Sequence, residues 1–299
     1  MKRVIVVVGP TAVGKTKIAI ELAKKYNLDV ISGDSVAVYK RLDIGSAKPT
    51  IEEMDGVKHH LIDVMEPTEQ FDVATFQKMA RSIIDKNDIS LICGGTGLYI
   101  QSVLFNYEFK AQKRNDAFEE KFNDLSNEEL YALLLKKDPN IDKEKLHPNN
   151  RKRVLRALEV MDELNESIHS FDKKKEALYD YFIIYLKMNR EKLYERINKR
   201  VDIMIEDGLI AEVKSLYDDG ILPHAIGYQE LVPYFKGEVS LDTAIEEIKK
   251  NTRHLAKRQE TWFKNQMDSH FYDVDIENIN NTINQIENDL DRWLKWDFI

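Results

Sequence analysis

Apolar residues in this chain alternate between short unbroken runs and helical repeats, the order expected of a parallel α/β sheet. Val4 to Val8 reads as a buried strand, and Ile18, Ala19, Leu22 and Ala23 recur behind it at helical spacing. Leu28–Ser32 predicts a second strand. Asp72 is placed to cap a helix through Phe76, Met79, Ile83 and Ile84, and Ile89–Cys93 then predicts a third strand. Tyr181–Leu186 is another apolar run, and His270–Val274 predicts the last strand. Between them, amphipathic stretches run to Gly208 and on to a C-cap at Gly220. Ser240 caps a further helix with Ile245, Ile248, Leu255 and Phe263 on its core side. Val36 to Asp63 reads as irregular, with turn signals at Lys48-Pro49 and Asp55-Gly56.

From about Lys110 the pattern loses its strands. Ser126-Asn127-Glu128-Glu129 is a capping-box signal ahead of Leu130, Leu133 and Leu134, and Asp138-Pro139 ends that helix. His147-Pro148-Asn149-Asn150 opens another, running to about Ser167. The expected organisation is a P-loop NTPase-like core over 1–109 and 181–299, with a parallel sheet flanked by helices, and an all-helical insertion over 110–180. A tail with Trp293 and Trp296 reads as an acidic helix packed on the core.

The first strand runs into Gly9-Pro10-Thr11-Ala12-Val13-Gly14-Lys15-Thr16, which matches G-x-x-x-x-G-K-[ST] at every fixed position. Glycines let the backbone curl so that successive N–H groups converge on a phosphate oxygen, and the following helix adds its positive end. Lys15 supplies a cation and Thr16 a hydroxyl suited to Mg²⁺. Asp34 and Arg190 each follow a strand, at the sheet edge where open α/β folds bind ligands. Asp34 there is a base, a metal-linked carboxylate or a turn aspartate. Arg190 is within expected reach of a phosphate on the P-loop. The third strand ends in Gly94-Gly95-Thr96-Gly97, where a P-loop ATPase usually carries a Mg²⁺-binding acid, and Leu61-Ile62-Asp63 is a weak substitute. The glycines suit close approach of a backbone or a flat ligand, with Thr96 offering a hydroxyl.

Composition narrows this further. The 299 residues are 43% hydrophobic and 32% charged, as in a soluble globular chain. The single cysteine, Cys93, excludes a disulfide framework and a cysteine-based zinc site, and suits a reducing, cytoplasmic setting. The apolar run after Met1-Lys2-Arg3 is too short for a signal peptide, and no membrane-length stretch follows. Adjacent His59 and His60 point to opposite sides of a strand and read as structural. The net charge of −8 argues against nucleic acid, but two basic stripes reverse that inference. One is Arg151, Lys152, Arg153 and Arg156, opposite an apolar face of Val154, Leu155, Leu158 and Met161. The other is Lys250, Arg253, Lys257 and Lys264.

Taken together, these blocks resemble the tRNA dimethylallyltransferases, or tRNA isopentenyltransferases. The resemblance rests on G-P-T-A-V-G-K-T, I-S-G-D-S-V-A-V-Y-K-R-L-D-I-G-S-A-K-P, H-H-L-I-D-V, C-G-G-T-G-L-Y, H-P-N-N-R-K-R-V-L-R-A-L-E-V, A-I-G-Y and T-R-H-L-A-K-R-Q-E-T-W-F, which run in family order from Gly9 to Phe263. It implies transfer of a dimethylallyl group from its diphosphate to N6 of the adenine 3′ to the anticodon (A37), with release of pyrophosphate. The P-loop then holds a diphosphate and not ATP, which accounts for the missing acid. By the same resemblance Asp34 is the general base, Thr96 contacts the target base, and Lys15 and Arg190 hold the diphosphate with Mg²⁺ near Thr16. Asp34-Ser35-Val36-Ala37, Thr96 and Lys152-Arg153-Val154-Leu155-Arg156 align with tRNA-contacting segments. The second basic stripe, with Arg253 and Lys257, is expected to meet the backbone of the anticodon stem-loop. Val13 departs from the family's usual serine, and a family arginine early in the insertion has no clear match, Phe118 or Glu119 falling near its place. Three rivals remain open at this point: a P-loop small-molecule kinase, a non-enzymatic RNA-binding protein, and an isopentenyltransferase acting on free adenine nucleotide. Oligomeric state is not read from the sequence.

Overall fold

The fold is that of a computed structural model, in which residues 1–107, 116–171 and 176–295 are described. Trp296 lies outside them. Six strands form one sheet: β1 (Arg3–Val8), β2 (Val30–Ser32), β3 (His59–His60), β4 (Ile89–Cys93), β5 (Asp180–Lys187) and β6 (His270–Asp273). Their order is β3-β2-β4-β1-β5-β6, and every pairing is parallel. Both faces of such a sheet are covered, which is why β1 reads as a continuous apolar run. Val4, Val6 and Val8 lie on one side with Phe76, Ile100 and Phe263. Ile5 and Val7 lie on the other with Ile18, Leu22 and Ile286.

The helices of this unit are α1 (Lys15–Tyr26), α2 (Ile51–Met54), α3 (Val73–Ile84) and α4 (Gly97–Leu104) before the insertion. In the insertion are α5 (Asp116–Glu120), α6 (Asn127–Lys137) and α7 (Arg151–Leu164). After it come α8 (Arg190–Glu206), α9 (Leu209–Asp218), α10 (Val232–Phe235), α11 (Leu241–Gln266) and α12 (Ile279–Lys295). The expected caps are present. Asp72 accepts the Thr75 N–H, Ser126 closes a capping box with Glu129, and Ser240 accepts the Thr243 N–H. Around Tyr228, which is fully buried, α8, α9 and α11 build a further core with Leu42, Val201 and Leu209.

The chain divides into one unit of Met1–Phe105 with Leu178–Ile299 and a second of Asn106–Ala177. The expected boundary at 180/181 moves earlier for a physical reason. Leu178 N–H donates to the Leu104 carbonyl, Asp180 N–H donates to the Lys2 carbonyl, and Tyr179 is buried against the sheet. The named elements of the second unit are helices among its described residues, with Leu130, Leu134, Val154 and Leu158 fully buried in its own core. Two further expectations change. His59–His60 is an edge strand inside the stretch read as irregular, and β2 is shorter than Leu28–Ser32. The histidines are structural: His59 Nδ1 lies 2.9 Å from the Val57 carbonyl and His60 Nε2 lies 2.8 Å from Asp29 Oδ2.

Candidate active site

The P-loop forms as its glycines require. Gly9 takes φ 148°, and a Cβ there would stand 2.5 Å from the Leu186 carbonyl, so β5 passes too closely for any side chain. Gly14, at φ 104°, is the N-cap of α1, and no side chain caps that helix start. An uncapped helix N-terminus presents N–H groups to an anion. The rest of the loop is held both from within and from α8 and α11. Lys15 Nζ donates to the Pro10 carbonyl at 2.9 Å, and Arg196 Nε donates to the Ala12 carbonyl at 2.9 Å. Thr11 N–H donates to Gln259 Oε1 at 3.0 Å. Val13 is fully buried, so its side chain serves the core and only its backbone belongs to the site.

Two cavities open on this loop. The larger, about 950 Å³, is lined by Lys15, Thr16, Lys17, Arg196, Lys199 and Arg200 at its cationic end, with Ile44, Ile51, Met54, Ile203 and Met204 also in its wall. The smaller, about 100 Å³, brings Lys15, Thr16, Asp34, Ala37, Cys93, Gly94 and Arg200 together. Lys15, Thr16, Ala47, Lys48, Pro49 and Arg200 line both. Ala47 and Lys48 belong to a loop that Glu212 of α9 fastens by accepting the N–H groups of Asp43, Ile44 and Gly45, while Tyr228 donates its hydroxyl to the same carboxylate at 2.7 Å.

The sequence placed Arg190 beside the phosphate, and the structure corrects this. Arg190 is the first residue of α8, exposed, and lines neither cavity. The cations that reach the loop are Arg196 and Arg200, four residues apart and therefore on one face of α8. That i, i+4 pair on the helix after β5 was the available signal. The strand-end rule points about two to three turns too early.

Thr96 is tied to the residues on either side of Asp34, Gly33 and Ser35. Asp34 Oδ1 accepts from Val36 N–H at 2.7 Å and Ala37 N–H at 3.2 Å, both on one carboxylate oxygen. Gly33 N–H donates to the Cys93 carbonyl, and Thr96 N–H returns to the Gly33 carbonyl. Thr96 Oγ1 lies 3.5 Å from Ser35 Oγ. A Cβ on Gly94 would stand 2.3 Å from the Gly33 carbonyl oxygen, so the backbone that approaches this glycine is that of β2's own exit. Ala37 is buried and lines the smaller cavity, and Val36 is half-buried against the core around Tyr228.

Burial sets the charge state of this site. Stripping water from the Lys15 ammonium lowers its pKa to about 8, and nearby Arg200 pushes the same way. Arg200 is itself lowered, again chiefly by burial. The Cys93 thiol is pushed up to about 11 by burial and stays neutral at neutral pH. A bound polyanion favours the charged lysine, so its pKa must rise on binding. Isothermal calorimetry of a diphosphate monoester, which unlike pyrophosphate carries almost no proton of its own in this range, in buffers of different ionisation heat should therefore show uptake approaching one proton a unit above pH 8. Uptake should be small a unit below. No change in proton uptake across that range would place the phosphate away from Lys15.

The expected RNA-facing residues differ in burial and in the partners they hold. Val154 and Leu155 are 0% and 5% exposed within the helical unit's core and are corrected to structural residues. Arg151 donates to the carbonyls of Phe122 and Leu125, Arg153 to that of Lys145, and Arg156 pairs with buried Glu159 three residues on. Lys152 and Arg153 remain exposed on α7. On α11, Arg253 turns inward to Asn198 Oδ1 at 2.6 Å, whereas Lys257 and Arg258 are exposed. Lys250 and Lys264 pair with Glu247 and Glu260 on their own helix. No group of three or more His, Cys, Asp or Glu side chains placed to hold a metal occurs among the described residues, and no helix among them is long and apolar enough to cross a membrane.

A family model described as IPP transferase matches residues 37–266. The chain is 48% identical over 283 residues to a tRNA dimethylallyltransferase of Anoxybacillus flavithermus, covering 91% of each chain. It is 45% identical over 285 residues to a tRNA dimethylallyltransferase of Bacillus subtilis, covering 91% of this chain and 90% of that one. Among solved structures it is similar to the full-length tRNA isopentenylpyrophosphate transferase of Bacillus halodurans, with a TM-score of 0.73, 41% identity and all of both chains covered. It is also similar to a eukaryotic dimethylallyltransferase acting on tRNA, with a TM-score of 0.82 and 29% identity over 96% of this chain and 78% of that one.

Proposed function

The chain belongs to the IPP transferase family, and from that premise we propose that it transfers a dimethylallyl group from dimethylallyl diphosphate to N6 of the adenine 3′ to the anticodon of tRNA, releasing pyrophosphate. The observation that carries the reading is the composition of the smaller cavity. A P-loop lysine and threonine share it with a carboxylate and an arginine, and the neighbouring strand ends in glycines where an ATPase carries its acid.

In this reading the diphosphate sits on the uncapped N-terminus of α1, with Lys15, Arg196 and Arg200 against its oxygens. These cations stabilise the charge that grows as the allylic carbon–oxygen bond breaks. Asp34 takes the proton from the exocyclic amine as the new carbon–nitrogen bond forms. Thr96, hydrogen-bonded into the same turn, orients the base. The adenine must leave the anticodon-loop stack to meet these groups, and a loop is the RNA element whose bases are most readily splayed. Mg²⁺ suits the site: Thr16 lines both cavities beside Lys15, no cluster of three carboxylate, histidine or cysteine ligands occurs among the described residues, and Mg²⁺ commonly keeps waters and binds through substrate phosphates. When bound, it neutralises leaving-group charge.

The test is pyrophosphate release. It should require dimethylallyl diphosphate and tRNA together. Release of phosphate from ATP without RNA would instead mark a kinase-like or ATPase site. The RNA face is tested separately. Lys257→Ser with Arg258→Ser, and Lys152→Ser with Arg153→Ser, should each flatten the dependence of log affinity for tRNA on log salt. The slope should shrink by about 0.7–0.9 for every RNA phosphate that the variant no longer neutralises. Diphosphate binding should be unchanged in both. A pair that leaves affinity and slope unaltered belongs to ordinary surface.

A further inference from the structure

One side chain on α11 joins the two loops that carry the two substrates in the reading above. Gln259 Oε1 accepts from Thr11 N–H at 3.0 Å, and Gln259 Nε2 donates to the Gly95 carbonyl at 3.2 Å. Both groups are fixed: an amide N–H can only donate and a carbonyl can only accept, so one orientation of the carboxamide satisfies the pair. The space is made for it. A Cβ on Gly95 would stand 2.3 Å from Nε2, so glycine is needed for the amide to reach the backbone. One turn on, Trp262 fills the equivalent gap at Gly97, where a Cβ would stand 2.1 Å from its Cε3.

These hydrogen bonds matter because glycine on both loops leaves few side chains to lock one backbone against the other. Thr11 lies in the loop assigned to the donor, and Gly95 immediately precedes Thr96, assigned to the acceptor base. Group transfer needs its reacting atoms about 3–3.5 Å apart, and a displacement of about 1 Å costs on the order of 10²-fold in rate. We propose that Gln259 is a positioning residue that holds the Gly94–Thr96 turn against the Gly9–Thr16 loop and so sets the distance over which the prenyl group is transferred. This rests on the function proposed above, and the P-loop, Asp34 and Thr96 each keep their own role. The same helix exposes Lys257 and Arg258, so the element that spaces the two loops also carries the residues assigned to RNA.

The test compares Gln259→Glu and Gln259→Leu with the unaltered chain under single turnover, with affinities for dimethylallyl diphosphate and for tRNA measured separately. An ionised carboxylate keeps the Thr11 hydrogen bond and turns an acceptor toward the Gly95 carbonyl, so the transfer rate should fall about ten- to a hundredfold while both affinities stay within a few fold. The decisive readout is pH. A protonated carboxyl has one donor and one acceptor, as the amide does. The rate of Gln259→Glu relative to the unaltered chain at the same pH should therefore recover as pH falls, and Gln259→Leu should show no recovery. An unchanged transfer rate in both variants would overturn the proposal. So would loss of both affinities in parallel with rate, or a flat pH ratio for Gln259→Glu, since those mark a purely structural amide. Absence of prenyl transfer by the unaltered chain would sink the proposed function instead.

Discussion

Asp34→Asn should leave both substrates bound and slow turnover about 10²–10⁴-fold, which corresponds to roughly 3–5 kcal/mol of transition-state stabilisation. The side-chain oxygen that accepts from Val36 and Ala37 survives the change, so the turn that seats Thr96 and lines the smaller cavity is kept. Only the proton acceptor is removed. An adenine amine is a poor nucleophile, and proton removal as the bond forms is what a carboxylate at this place supplies. Single-turnover rates near those of the unaltered chain across neutral pH would exclude Asp34 as the base.

The second large effect is expected at Lys15. Its ammonium lines both cavities and heads α1, yet burial holds its pKa near 8 before a ligand arrives. Lys15→Ala removes a charge-assisted hydrogen bond worth about 1.5–3 kcal/mol, so donor affinity should fall about ten- to a hundredfold. Transfer should slow by about 10²-fold or more, because in the proposed reaction the same cation also stabilises the leaving diphosphate. The affinity for tRNA should change little. Equal loss of tRNA binding would mean that the P-loop grips an RNA phosphate. Arg190→Ala is the built-in contrast: exposed and outside both cavities, it should leave donor affinity within a few fold.

What the sequence could and could not reveal follows from the range of each interaction. The P-loop, β1 and β4 are read from local patterns, because a buried parallel strand must be an unbroken apolar run and the loop's glycines answer a backbone demand. The edge strand at His59–His60 carries no such run and is specified by pairing with β2. Arg196 and Arg200 look like ordinary solvated cations on an amphipathic helix until the helix is placed beside Ala12. Their four-residue spacing marks a shared face, and the fold shows that this face turns to the P-loop cavity. In α7 the local pattern is the better guide. Family resemblance assigns the whole block Lys152–Arg156 to RNA, although helical spacing already places Val154 and Leu155 in the core and Glu159 within reach of Arg156. Gln259 is invisible in the sequence for a plainer reason: its partners are backbone groups 248 and 164 residues away, and nothing in their side chains announces it.

In the proposed reaction one cavity joins an allylic diphosphate to an adenine of the anticodon loop, and nucleoside mapping shows whether it does. The chain is incubated with dimethylallyl diphosphate, Mg²⁺ and tRNA, the RNA is digested, and the products are placed by mass spectrometry. One dimethylallyl group should be added, on N6 of the adenine 3′ to the anticodon, with one pyrophosphate released per group added. Modification of free adenine nucleotide in preference to tRNA, or nucleotide consumption with no change in the mass of the RNA, would contradict it.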